Sequence, residues 1–87
     1  MLRIQRSEKG EVVFKLSGQM DDEAIGELET LMNSEASGRR VVLDLKDLTP
    51  VNENAIAFLV RCESNGIGLE NCPPYVREWI TRQRRGS

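Results

Sequence analysis

The sequence predicts a single small α/β domain, built as a four-stranded mixed sheet with helices mainly on one face. Three observations carry this. Stretches in which apolar residues alternate (Leu2 and Ile4; Val12, Phe14 and Leu16; Val41, Leu43 and Leu45) are interleaved with stretches in which they recur at helical spacing. The order is strand, strand, helix, strand, helix, strand, helix, which requires a mixed sheet with right-handed crossovers. Lys15 and Asp44 lie in mid-strand, so one face of the sheet is wet, whereas a parallel sheet covered on both sides would be apolar throughout.

The elements follow in order. Leu2 to Ser7 forms an edge strand, Glu8-Lys9-Gly10 turns the chain, and Val12 to Ser17 returns antiparallel until Gly18 ends it. Asp21 or Asp22 caps a helix whose apolar positions are Ala24, Ile25, Leu28, Leu31 and Met32, with Gly38 as a suitable stop. Val41 to Lys46 is the third strand and Asp47 to Pro50 a loop. A second helix runs from about Glu53 to Ser64, closed by Asn65-Gly66. Its residues are apolar almost all round, so the face turned from the sheet is either covered by a neighbouring helix or left for a partner. Ile67 and Leu69 make a short fourth strand. Pro73 and Pro74 open a last helix with Tyr75, Val76, Trp79 and Ile80 as its apolar seam. The domain is expected over residues 1–83, with 84–87 a frayed tail.

Composition narrows the function classes. With 87 residues the chain has room for one core and little for a deep enclosed cavity. Twelve basic against fourteen acidic residues leave a net charge of -2, which draws the protein to neither nucleic acid nor anionic lipid. The C-terminal Arg82, Arg84 and Arg85 with Trp79 would suit RNA only if the tryptophan were exposed, and its place on the apolar seam argues otherwise. No apolar run approaches the roughly 20 residues that span a bilayer, and no signal-peptide core is visible, so a cytoplasmic location without membrane insertion is expected. Cys62 and Cys72 then read as reduced structural thiols. The chain has no histidine, which removes the commonest general base and metal ligand together. Asp44, Asp47 and Glu53 are carboxylates near one loop that could in principle hold a divalent cation or act as an acid–base pair, but Lys46 lies among them and no nucleophile with an adjacent base accompanies them. The expectation is a non-enzymatic protein with no catalytic residue, no metal site and no cofactor.

The stretch around which the rest is organised is VVLDLKDLTPVNENAIA, Val41 to Ala57. It reads as a strand that delivers a helix N-terminus to the surface, where unpaired N–H groups and the positive end of the helix dipole favour negative charge. Glu53 sits there.

Extended to Val60, this stretch resembles a STAS domain, the fold of bacterial anti-sigma-factor antagonists. The likeness lies in a hydrophobic strand ending Asp-Leu, a short loop, and a polar motif that opens a helix; the family's motif reads Asp-Ser-Ser/Thr-Gly. The opening hairpin, the Leu16-Ser17-Gly18 strand end before an acidic-capped helix, and the proline-introduced last helix extend it over nearly the whole chain. The resemblance implies a non-catalytic signalling module that binds a kinase-type anti-sigma factor and is switched by phosphorylation of the motif's first serine. Here the aspartate falls on Asn52, that serine on Glu53, the next Ser/Thr on Asn54 and the glycine on Ala55. All four positions depart from the pattern, and Glu53 has no hydroxyl to accept a phosphoryl group. Glu53 is then either a charge complementing the helix start or an imitation, with one negative charge, of the phosphorylated state.

The expected partner surface is Thr49, Pro50, Val51, Asn52, Glu53, Asn54, Ala55 and Phe58, with Phe58 alternatively a core residue. The partner would be a protein, of the anti-sigma-factor or serine-kinase type, and a homodimer is compatible with the sequence. The alternative function is a small-ligand or anion sensor, or a transporter-associated STAS accessory module, using the helix start at Asn52 to Asn54.

Overall fold

The computed structural model describes residues 2–8, 10–35 and 39–85. Seven elements follow in the expected order: β1 (Leu2–Glu8), β2 (Val12–Met20), α1 (Asp22–Asn33), β3 (Val41–Pro50), α2 (Glu53–Ser64), β4 (Gly68–Glu70) and α3 (Pro74–Arg85). They form a single α/β domain with one mixed sheet in the order β1-β2-β3-β4. The β1–β2 hairpin is antiparallel, pairing Leu2 with Gly18 and Glu8 with Val12, while β2, β3 and β4 run parallel.

Register explains the two faces. Pairing places Ile4 beside Leu16, Phe14 beside Leu43 and Leu43 beside Leu69, all on one face. Gln5, Lys15, Asp44 and Glu70 line up on the other. All three helices cover the apolar face. Ile25 and Leu28 of α1, Ala55, Ile56, Phe58, Leu59 and Cys62 of α2, and Val76 and Ile80 of α3 join one cluster with Phe14, Leu16, Leu43, Leu45 and Leu48. The polar face carries no helix in that cluster, as the mid-strand Lys15 and Asp44 require. Val42 is its exception, buried although it points to the wet side. A Cβ built on Gly68 would lie 3.2 Å from Arg40 Nη2 and 3.3 Å from Val42 Cγ2, so the glycine leaves room for the Arg40 side chain beside Val42.

Two strands are longer than the sequence suggests. β2 continues past Gly18 to Met20, because the parallel ladder with β3 still has partners there. β3 runs on through Asp47–Pro50, a stretch that reads as a loop in sequence. The cause is a register shift: Lys15 pairs with Asp44, but Ser17 pairs with Asp47, so β3 holds one extra residue. Lys46 N–H donates to Asp44 Oδ1 at 3.1 Å within that bulge. The bulge flips the alternation, so Leu48 and Pro50 follow Leu45 into the buried side while Lys46 and Asp47 face water. Period-two pattern reading fails at such a point.

The helix ends differ in how well the sequence marks them. α1 stops at Asn33, ahead of the anticipated Gly38, which lies outside the described residues; Ser34 closes it in a right-handed conformation with its N–H on Leu31 and Thr30 carbonyls. Glu35 just beyond accepts from Arg6 Nε and Nη2 at 2.9 and 2.8 Å, which ties the hairpin to the end of α1 and holds that carboxyl below its usual range. α2 ends as the Asn65-Gly66 pair implies. Gly66 takes φ +87, Ile67 N–H donates to Cys62 O at 3.0 Å and Gly66 N–H to Glu63 O at 3.2 Å, the two bonds of a Schellman close. α3 opens at Pro74, with the Pro73 carbonyl accepting from Val76 and Arg77.

α3 packs principally on α2, so the second apolar face of α2 is covered from within the chain. Glu63 of α2 meets both Arg77 and Arg84 of α3, at 3.2 and 3.1 Å. Of the seam expected on α3, Val76 and Ile80 are buried and Trp79 is half-buried against the core, but Tyr75 is 52% exposed. It sits in the first helical turn, off the Val76 and Ile80 stripe that enters the core. The helix reaches Arg85, two residues past the boundary anticipated at 83.

Candidate functional site

Residues 49–54 form the ridge where β3 turns into α2. The strand ends at Pro50, Val51 N–H donates to Met20 O at 3.4 Å, and Asn52 takes an extended backbone (φ -158, ψ 179) as the N-cap. Its Oδ1 accepts from Ala55 N–H at 3.1 Å, supplying a partner that the first helical turn lacks. Glu53 is thereby the first helical residue and is exposed, at the place the sequence indicates.

A neighbour that sequence reasoning does not link to this site completes it. Met20 pairs with Pro50, so β2 and β3 finish side by side and their helices start side by side. Asp21 caps α1, its Oδ1 accepting from Ala24 N–H at 2.9 Å. Asp22, the first residue of α1, then accepts at Oδ1 from Asn54 Nδ2 at 3.3 Å and, at the 3.5 Å limit, from Asn52 Nδ2. The two helix starts are thus hydrogen-bonded to each other. The signal in the sequence is the repeated pattern Asp21-Asp22-Glu23-Ala24 and Asn52-Glu53-Asn54-Ala55: a cap, an acidic residue, a polar residue and an alanine.

Electrostatically the ridge is negative. The chain has no basic residue between Lys15 and Arg39, nor between Lys46 and Arg61, while Asp21, Asp22, Glu23 and Glu53 occupy the first turns or caps of the two helices. Each carboxylate complements its own helix dipole. Together they repel an anionic ligand.

The structure divides the expected contact residues. Thr49, Val51, Glu53 and Asn54 are exposed and Asn52 is half-buried on one continuous surface. Pro50, Ala55 and Phe58 are buried, with Ala55 at 0% and Phe58 at 3% exposure, and so serve the core rather than a surface. Phe58 lies a full helical turn below the ridge and carries the Arg61 guanidinium 5.9 Å above its ring. Tyr75 joins the ridge instead: its hydroxyl donates to Leu48 O at 3.4 Å, which sets its ring beside the end of β3. Val51 at 44% and Tyr75 at 52% are two of the three large exposed apolar residues of the described chain, and both flank this strand end.

Asp44, weighed with Asp47 and Glu53 as a possible carboxylate set, is engaged elsewhere. It accepts from Lys46 N–H and from Asn71 Nδ2 at 3.2 Å, and Asn71 holds φ 54 at the end of β4. Among the described residues no three Cys, Asp or Glu side chains gather as a metal site, and no helix is long and apolar enough to cross a membrane. The thiols of Cys62 and Cys72 are free, and burial pushes the Cys62 thiol up to about 12. A comparison with known protein families finds no match, and none of the curated proteins matches the chain either.

Proposed function

We propose that this chain is a non-catalytic protein-interaction module of bacterial signalling, a STAS-like relative of anti-sigma-factor antagonists that works in the cytoplasm. Glu53 stands where such a module would carry its phosphorylatable serine. The observation that carries the reading is the position of Glu53, exposed as the first residue of a helix capped by Asn52 at the end of a buried strand. The sequential sheet order with one-sided helices is in keeping with it. A fixed carboxylate at this place supplies one negative charge, part of the -1.5 to -2 of a phosphoserine, and cannot be added or removed by a kinase and phosphatase. The module is then held in one signalling state. Its contact surface is Thr49, Val51, Asn52, Glu53 and Asn54, with Tyr75 at its margin, and the negative ridge selects a partner face that is basic.

The test is calorimetric titration of the purified serine-kinase-type anti-sigma protein of the same organism against wild type, Glu53→Ser and Glu53→Gln. Affinities that differ several-fold between wild type and the two variants are expected, together with phosphorylation of Glu53→Ser at residue 53 when ATP is added. Equal affinities in all three proteins, or no binding by any of them, overturn the reading.

A further inference from the structure

At the end of α2 opposite the ridge, a cleft of about 320 Å³ opens between the last turns of α1 and α2 and the start of β3. Its floor is apolar: Met32, Val41, Phe58, Cys62 and Ile67. Burial keeps the Cys62 thiol in its neutral form, so nothing on the floor is charged. Its rim is polar, with Asn33 and Asn65 beside one acid, Glu29, and one base, Arg61. Those two charges face each other at 3.8 Å, close to the limit of an ion pair, and both side chains are at least half exposed. Arg61 is steered to the rim by the Phe58 ring beneath it.

We propose that this cleft binds a small zwitterion with an apolar tail, in chemical class a free aliphatic α-amino acid. The pairing of charges decides the class. A monocarboxylate reaching Arg61 would meet Glu29, and a simple amine reaching Glu29 would meet Arg61. A molecule bearing both groups on one carbon satisfies the two together, its carboxylate on the guanidinium and its ammonium on the glutamate. The Asn33 and Asn65 amides supply further donors and acceptors at the same level. The apolar floor takes the side chain, and the volume lies at the small end of the roughly 300–1,000 Å³ typical of ligand sites, which suits an amino acid. This site lies away from Glu53 and does not depend on the signalling reading.

L-leucine is the probe, titrated into the full chain and followed by amide shifts in two-dimensional NMR, with 4-methylpentanoate and 3-methylbutylamine as analogues lacking the ammonium or the carboxylate. Saturable shifts confined to Val41, Cys62, Asn65 and Ile67 are expected with L-leucine. Each analogue, and L-leucine with Arg61→Gln or Glu29→Gln, should bind about tenfold more weakly. Both substitutions are at exposed positions and should leave the remaining amide spectrum in place, so loss of binding is distinguishable from unfolding. No saturable shift with L-leucine, or equal binding of either analogue, overturns the proposal.

Discussion

The junction from β2 into α1 and the junction from β3 into α2 share a backbone solution, and their capping side chains differ in one atom. Both caps have extended backbones, both accept from the N–H three residues on, and both place an acidic residue first in the helix and a buried alanine third. Asp21 does this with a carboxylate and Asn52 with a carboxamide. Because the strands end side by side, a second carboxylate at residue 52 would face the acidic start of α1. The amide instead donates toward Asp22, and Asn54 does the same. The lesson concerns charge as well as geometry: where two helix starts abut, one of them needs a neutral cap with a donor to spare.

Four sets of variants, measured by urea denaturation followed by circular dichroism, test how far the two junctions are alike. The largest effect is expected at the alanines. Ala55 is 0% exposed within the main cluster, so Ala55→Leu should cost about 1–3 kcal/mol through overpacking. Ala24→Leu should cost less, since Ala24 keeps 5% exposure. Equal costs would mean that the two junctions are packed alike.

Next come the caps. Asp21→Ala should cost about 1 kcal/mol, the usual loss of a side-chain cap. Asn52→Ala should exceed it, because it also strips a donor from Asp22; a smaller loss at 52 would show that the cross-junction bond is idle. Asn52→Asp isolates the one-atom difference. It keeps the cap but sets a second negative charge beside Asp22, so a deficit of up to about 1 kcal/mol is expected that shrinks as salt is raised. A variant as stable as wild type at low salt would refute the account of the neutral cap. The smallest effect belongs to Glu53→Gln, a few tenths of a kcal/mol from one exposed charge at a helix start. A loss above 1 kcal/mol would make Glu53 a structural residue and weaken its reading as a contact.

Several elements are legible in the sequence alone. The hairpin, the Asn52 cap, the start of α2 at Glu53, and the Asn65-Gly66 close are local, each decided by residues within a few positions of one another. The misreadings have a common origin. Asp47–Pro50 looks like a loop because a bulge in β3 changes which residues face inward, and that bulge exists only through pairing with β2. Tyr75 looks like core because helical spacing gives a stripe without saying how much of it the packing on α2 covers. Phe58 reads in sequence as either a contact or a core residue, and its burial is decided by the meeting of α2 with the end of α1 and the start of β3.

Alternation, caps and the mid-strand Lys15 and Asp44 were enough to establish the order of elements, the one-sided layering of helices and the exposed glutamate at the start of α2, since these depend on near neighbours and on burial. The adjacency of the two helix starts, the bridging role of Asp22 and the cleft between Glu29 and Arg61 emerge only in three dimensions. Each joins residues about thirty positions apart, and such a meeting is set by the parallel register of β2 on β3 rather than by local preference.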